Sequence, residues 1–233
     1  MREPTSTTHG APTEGDASGW NAIYRDLIEG GVDAETQRQG TAWLDHVLPL
    51  LPAREPGRAL DLGCGLGADM LRLRLEGFTP VGLDAEPRAV DFVKRSYGLE
   101  AYRCDFAAAL PFLDAHFRLV ISRFAMHFLD DAAARRLFQE VRRVLEPDGL
   151  LAFVVNSDEH RRRGLQYDYR GAREVAPGTW HLPTIGRTYR FYTPGMARDA
   201  LGDGWELLEL RVGEFDHWGI VKHALTCVAR PAC

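Results

Sequence analysis

Residues 59 to 71, Ala-Leu-Asp-Leu-Gly-Cys-Gly-Leu-Gly-Ala-Asp-Met-Leu, constrain this chain more than any other stretch. An apolar strand ending, Arg58 to Leu62, runs into glycines at alternate positions, Gly63, Gly65 and Gly67, and then into a helical pattern over Ala68 to Glu76. The pattern predicts a strand, a tight turn and a helix N-terminus. Glycine is required in such a turn because a Cβ opposes its backbone angles, and because a ligand must approach the main chain closely.

Two ligand classes suit a glycine-rich turn after a strand. A dinucleotide lays its pyrophosphate on the helix N-terminus. Against it, the spacing here is G-x-G-x-G where the dinucleotide pattern is G-x-G-x-x-G, and Asp61 places a carboxylate at the strand end. That charge repels a pyrophosphate and attracts an ammonium group. The ligand inferred has an adenosine end and a cationic amino-acid end.

The run Asp61-Leu-Gly-Cys-Gly-Leu-Gly67 resembles the cofactor loop of the class I S-adenosylmethionine (SAM) dependent methyltransferases, and further matches follow in order. Val81-Gly-Leu-Asp84 ends a second strand, where Rossmann-like folds put the acid that holds ribose hydroxyls. Cys104-Asp105-Phe106 follows a third strand, where the family sets an acid beside the adenine amino group. Arg142-Arg-Val-Leu-Glu-Pro-Asp-Gly149 and the apolar run after it are similar to the family's helix, turn and fifth strand. The resemblance covers roughly residues 20 to 157 well and the remainder in outline. It implies an α/β fold, Rossmann-like and doubly wound, with a mostly parallel seven-stranded sheet and an antiparallel last strand. It implies SAM as cofactor, S-adenosylhomocysteine as product, and cofactor contacts at Asp61, Gly63, Cys64 (through its backbone), Gly65, Gly67, Asp84, Ala85, Asp105, Phe106 and Ser122. In the family a segment ahead of the core closes over the cofactor, so Tyr24 is a candidate for the methionine carboxylate; equally, an aromatic at helical spacing is core.

Strands alternating with helices from Arg58 to Asn156 argue for a parallel sheet of βαβ units. Ala134, Leu137, Phe138, Val141, Val144 and Leu145 form one apolar stripe, so the helix over Asp130 to Val144 packs on the sheet. Residues 1–18, rich in Thr, Pro, Gly, Ser and Glu without hydrophobic periodicity, read as a disordered tail. Residues 19–233 read as a single domain. Its parts are N-terminal helices over 19–55, a SAM-binding core over 56–157, a substrate-side insert over 158–193, and a closing helix with two strands over 194–233. In the closing part, the helix is expected over Pro194 to Leu201, strands over Trp205 to Val212 and Ala224 to Ala229, and a hairpin between them from Gly213 to Gly219.

A net charge of -5 argues against a protein that coats nucleic acid. No apolar run has the length of a membrane span, and the N-terminus lacks a signal peptide's apolar core; the expectation is a cytoplasmic protein, monomer or homodimer, with a small-molecule acceptor and no nucleic-acid or membrane partner. Four cysteines in unrelated elements, without C-x-x-C spacing, suggest neither metal nor disulfide framework.

After the fourth strand, Ile121-Ser-Arg-Phe-Ala-Met-His-Phe128 carries Arg123 and His127, four apart and on one face if the segment is helical. His127 is a candidate general base and Arg123 a catalytic candidate; the plainer reading of the histidine is a satisfied polar group over the core. The insert holds seven arginines against four acids, with several aromatics. Tyr167, Trp180, His181, Arg187 and Tyr189 are its acceptor-binding candidates, because arginine grips carboxylates and stacks on rings; a solvated loop with tucked aromatics is the alternative. The function expected is methyl transfer to an oxygen, nitrogen or sulfur of a small acceptor, anionic or aromatic. A SAM-binding module without turnover, or a NAD(P)-dependent oxidoreductase, are the alternatives.

Overall fold

Asp130, Ser157 and Thr193 each cap the helix that follows, and the central strands are buried on both faces. The computed structural model describes residues 17–31, 40–107, 109–217 and 219–232. Most of the expected tail is therefore outside the described residues, while Ala17 and Ser18 open the first helix, α1 (Ala17–Glu29). A short α2 (Leu44–Val47) tightens into a 3-10 turn at Leu48–Leu50. The sequence predicts one helical face for Trp43, Val47 and Leu50; Trp43 and Val47 are buried, but Leu50 is 41% exposed because the tighter turn rotates it outward.

The core alternates β1 (Arg58–Leu62), α3 (Ala68–Leu75), β2 (Thr79–Asp84), α4 (Pro87–Tyr97), β3 (Glu100–Arg103), β4 (Phe117–Arg123), α5 (Asp131–Val144) and β5 (Leu145–Asn156). An insert follows: α6 (Asp158–Arg162), β6 (Arg173–Ala176), β7 (Thr179–Leu182) and β8 (Arg187–Arg190). α7 (Pro194–Leu201), β9 (Trp205–His217) and β10 (Ile220–Pro231) close the chain. Seven strands form one sheet in the order β3-β2-β1-β4-β5-β10-β9. The first five are mutually parallel, and β10 runs antiparallel to both its neighbours. The fold is thus the doubly wound, mostly parallel one expected, with the last strand reversed.

Along β5, Leu151, Phe153 and Val155 face α5 while Leu150, Ala152 and Val154 face the other side, where Trp43, Leu44, Val47 and Leu73 pack. Period-two burial on both faces is what a central strand covered by helices demands. The chain winds outward from β1 to β3 and returns at β4, so the strand order reverses between β1 and β4. Ligands of open α/β sheets bind at that switch point, beyond the carboxyl ends of the strands.

Three expectations need correction. β9 extends past Val212 to His217 and β10 starts before Ala224, at Ile220, so Gly213 to His217 is paired strand rather than hairpin loop, and Gly219, at φ 76°, donates its N–H to Asp216. Trp218 lies outside the described residues. β5 begins at Leu145, opposite Phe117, ahead of the turn expected up to Gly149, and a register irregularity follows before Leu119 meets Leu150. The insert is more than a solvated loop: β6, β7 and β8 form a separate antiparallel sheet, and Leu182, Tyr189 and Phe191 bury against Tyr167, Tyr169 and Trp180 as its own small core.

The N-terminus of α5 is fixed by Asp130, whose carboxylate accepts the Ala133 N–H at 2.7 Å. Replacing Asp130 with Ala should lower stability by about 1 kcal/mol in urea unfolding, whereas Asp130→Asn, which keeps the acceptor, should change it by only a few tenths.

Candidate functional site

The glycine loop is clamped to β2. The Gly63 and Cys64 N–H groups both donate to the Leu83 carbonyl, at 2.8 and 2.9 Å, and the Gly65 N–H donates to Asp84 Oδ2 at 2.9 Å. The other Asp84 oxygen accepts the Glu86 N–H at 2.9 Å. Glycine is dictated sterically as well: a Cβ on Gly63 (φ 77°) would stand 2.3 Å from the Ala125 Cβ, and one on Gly67 (φ 82°) 2.9 Å from Val93. Above the loop, a Cβ on Gly65 would stand 3.2 Å from the Tyr24 hydroxyl, so α1 brings Tyr24 over the loop as the sequence suggested. Burial first, and then the Asp84 charge, holds the Tyr24 phenol well above its ordinary pKa; it is a neutral donor.

This hydrogen bonding bears on the ligand. The first three loop N–H groups are used by Leu83 and Asp84, and that of Gly67 by the Cys64 carbonyl, so they are not open to a pyrophosphate. Buried carboxylates stand beside the loop instead. Asp61, at the end of β1, is buried, and burial followed by the neighbouring Asp69 charge raises its pKa well above the carboxylate range, with Arg123 opposing. Burial raises Asp84 likewise, against the pull of its amide donors. Such a set of acidic acceptors suits a ligand with hydroxyls and a cationic group, which is the adenosyl amino acid and not the dinucleotide.

The remaining cofactor candidates gather along the same edge. Ser122, buried at the end of β4, donates from Oγ to the Leu62 carbonyl at 2.9 Å, tying β4 to β1 at the switch point. Phe106 packs near Gly63, and Asp105 is exposed, accepting the Ala107 N–H at 3.0 Å. Ala85 is exposed just past β2. Cys64 is buried against Met70 and Gly82, a packing role for its sulfur; Cys64, Cys104 and Cys227 are free thiols.

Arg123 and His127 do not share a helix. Arg123 is the last residue of β4, Phe124 turns the chain at φ 55°, and His127 sits in a 3-10 turn, Met126–Phe128. Arg123 donates from Nε to Asp69 at 2.7 Å, both side chains buried, and from Nη1 to His217 Nδ1 at 3.0 Å. Asp69 also accepts the Trp43 indole N–H at 3.1 Å. Asp69 is therefore more than a helix N-terminal acid: it holds Arg123. His127 is 3% exposed, its Nδ1 has no hydrogen-bond partner, and burial with the nearby Lys222 and Arg187 charges pushes its pKa well below the usual histidine value. It is a neutral imidazole.

The insert delivers part of its candidate set here. Tyr189 stacks near His127 and Phe128, both with ring centroids 5.2 Å away, and Tyr167 lies 5.0 Å from Tyr189. Arg187 is buried, donates to the Tyr189 hydroxyl at 3.2 Å and lies over Phe128. Trp180 shares their face of the small sheet, covered by Arg161 at 4.1 Å. His181 alternates to the opposite face, against Thr188, and does not join them. The insert's excess of arginine is mostly neutralised locally: Arg161 and Arg162 pair with Asp158, Arg163 with Glu159, Arg170 with Asp168 and Arg190 with Asp131.

Sequence reasoning missed Lys222, which stands near the start of β10; its Nζ lies 3.9 Å from the centre of the Phe124 ring. In the sequence it falls between the expected hairpin and the expected final strand, and only the extension of β10 beyond the end of β5, paired with β9 alone, brings it over Phe124. A groove of about 660 Å³, lined by Arg135, Arg198, Asp199 and Trp205 among others, lies at the opposite, amino end of the sheet, where β9 starts, and is remote from this chemistry. Among the described residues no cluster of His, Cys, Asp and Glu is arranged to hold a metal, and no helix is long and apolar enough to cross a membrane.

Comparison with known proteins gives the family. A methyltransferase-domain family model matches residues 59–149. A malonyl-[acyl-carrier protein] O-methyltransferase of Geobacter sulfurreducens is 32% identical over 197 residues, covering 78% of this chain and 67% of that protein. An uncharacterized methyltransferase of Synechocystis is 39% identical over 118 residues, 50% of this chain and 54% of its own length, so the match spans about half of that relative. A SAM-dependent methyltransferase structure from Methanosarcina mazei superposes with a TM-score of 0.67 at 20% identity, covering 80% of this chain and 96% of that one. The chain belongs to the class I SAM-dependent methyltransferases, and SAM is its cofactor.

Asp61 supplies a pH test. In the folded protein its raised pKa keeps a proton that the unfolded chain releases, so stability falls as pH rises from the ordinary carboxylate value through the raised one. Asp61→Asn should therefore be more stable than the parent at neutral pH without cofactor, and the gain should vanish below about pH 4, as read from urea midpoints at both pH values.

Proposed function

We propose that this protein transfers the methyl group of SAM to an oxygen, nitrogen or sulfur atom of a small acceptor, anionic or aromatic. The observation that carries the reading is the contiguity of two groups along the carboxyl edge of the sheet, the clamped glycine loop with Asp61, Asp84 and Ser122, and the ring-and-cation cluster of Phe124, His127, Phe128, Tyr189, Arg187 and Lys222, which meet where Gly63 packs on Ala125.

In this reading Asp84 takes the ribose hydroxyls, Asp105 and Phe106 flank the adenine, and Asp61 with the Gly63–Gly67 loop holds the amino-acid end. Tyr24 covers that end from α1 and keeps water out. SAM supplies a methyl on a sulfonium, a good leaving group, so the chain's own residues chiefly align the acceptor and exclude solvent. His127, neutral at physiological pH, is able to accept a proton from an acceptor that must lose one. Arg123, held by Asp69 and His217, is a positioning residue: it fixes the end of β4 from which the acceptor wall begins.

Calorimetric titration tests the cofactor assignment. S-adenosylhomocysteine should bind and NAD should not; the reverse would sink the reading. Asp84→Ala should weaken S-adenosylhomocysteine binding by about 1–3 kcal/mol through loss of charge-assisted hydrogen bonds, with the far-ultraviolet circular dichroism unchanged; equal affinity would remove Asp84 from the site.

A further inference from the structure

Ahead of Ala224, where its pairing with β5 begins, β10 runs only against β9, and this two-stranded ribbon passes over the carboxyl edge of the sheet. Lys222 stands on it, 4% exposed, with its Nζ on the face of Phe124. No carboxylate among the described residues pairs with it. Its neighbours are of its own sign or neutral: Arg123 from β4, His127 from the turn after β4, His160 from α6 and His217 from β9. The nearby cations differ in this respect. Arg123 is matched by Asp69, Arg161 by Asp158 and Arg190 by Asp131. A buried cation without a counter-ion is costly, and a ring face repays only a part of that cost.

We propose that Lys222 is the anion anchor of the acceptor site, and that the acceptor is a planar molecule carrying a carboxylate, which the Lys222 ammonium grips while Phe124, His127, Phe128 and Tyr189 contact its flat face. The assignment deepens the methyltransferase reading and rests on it. The carboxylate is the missing counter-ion, and the rings select planarity by stacking. Arg187, on the Phe128 ring, adds positive potential from the insert side.

Charge makes the proposal sensitive to pH. Burial, with the Arg123 charge beside it, lowers the Lys222 pKa to about 7. The histidines facing it do not titrate in the same range: burial brings His160 to about 4, and His127 and His217 also lie well below the ordinary value. An anion favours the protonated amine, so anion binding should be strong below the Lys222 pKa and weaken by up to tenfold per pH unit above it.

The test uses the full chain saturated with S-adenosylhomocysteine, titrated calorimetrically with benzoate and with benzamide as its uncharged analogue. Benzoate should bind at least about tenfold tighter than benzamide at about pH 6, and the advantage should shrink by about tenfold at about pH 8. Lys222→Met should erase both the preference and its pH dependence while leaving S-adenosylhomocysteine affinity unchanged; Lys222→Arg should keep the preference and lose the pH dependence, since guanidinium stays charged. Benzoate binding no better than benzamide in the parent protein, or a preference that survives Lys222→Met, would overturn the anchor while leaving the cofactor reading intact. Failure of S-adenosylhomocysteine itself to bind would overturn both.

Discussion

The carbonyl of Leu83 and the carboxylate of Asp84 hold the rest of the site in place. Together they take the N–H groups of Gly63, Cys64 and Gly65, so that the loop after β1 is fastened to the end of β2. Because those donors are satisfied by the protein, the loop presents shape and carboxylates rather than open amides. The left-handed glycines are what let the chain turn back tightly enough to make these bonds. Every other cofactor contact inferred for the chain is positioned relative to this clamp: Ser122 joins β4 to β1, and Tyr24 closes from above.

Next to the clamp the structure places a buried ion pair, Arg123 with Asp69, reinforced by Trp43 and His217. Such a pair is a weak source of net stability because both charges lose their hydration. Its value is in direction: it links α2, α3, β4 and β9 through two side chains, and thereby fixes where β4 ends and the acceptor wall begins. His217 accepts a hydrogen bond from Arg123, which defines its tautomer and is consistent with a ring that stays neutral.

What could be read from the chain alone was what local chemistry dictates. Pro87 opens α4, Pro194 opens α7, and Glu100 to Arg103 forms the third strand that Cys104 was expected to follow. The placement of the glycine loop, Asp61, Asp84 and Ser122 at strand ends was legible, and strand ends of a parallel sheet converge. Long-range pairings were not legible. Asp69 and Arg123 are 54 positions apart, and Lys222 meets Phe124 across most of the second half of the chain. The insert illustrates the same limit: its aromatics and arginines were visible, yet their division into a small core, local ion pairs and one ring-bearing face depends on the register of β7 with β8, which sends Tyr189 to one side and His181 to the other.

The ribbon formed by β9 and β10 beyond Asn156 has a consequence for how such a protein diversifies. It stands outside the strands that carry the glycine loop, and it contributes Lys222 and His217 to the edge without sharing a ladder bond with β1, β2 or β4. Substitutions there would alter the wall proposed to meet an acceptor while leaving the parallel core as it is. Selection is thus offered two separately adjustable parts, an inherited half that recognises the common methyl donor and an overhanging arm on which new acceptor preferences are able to evolve.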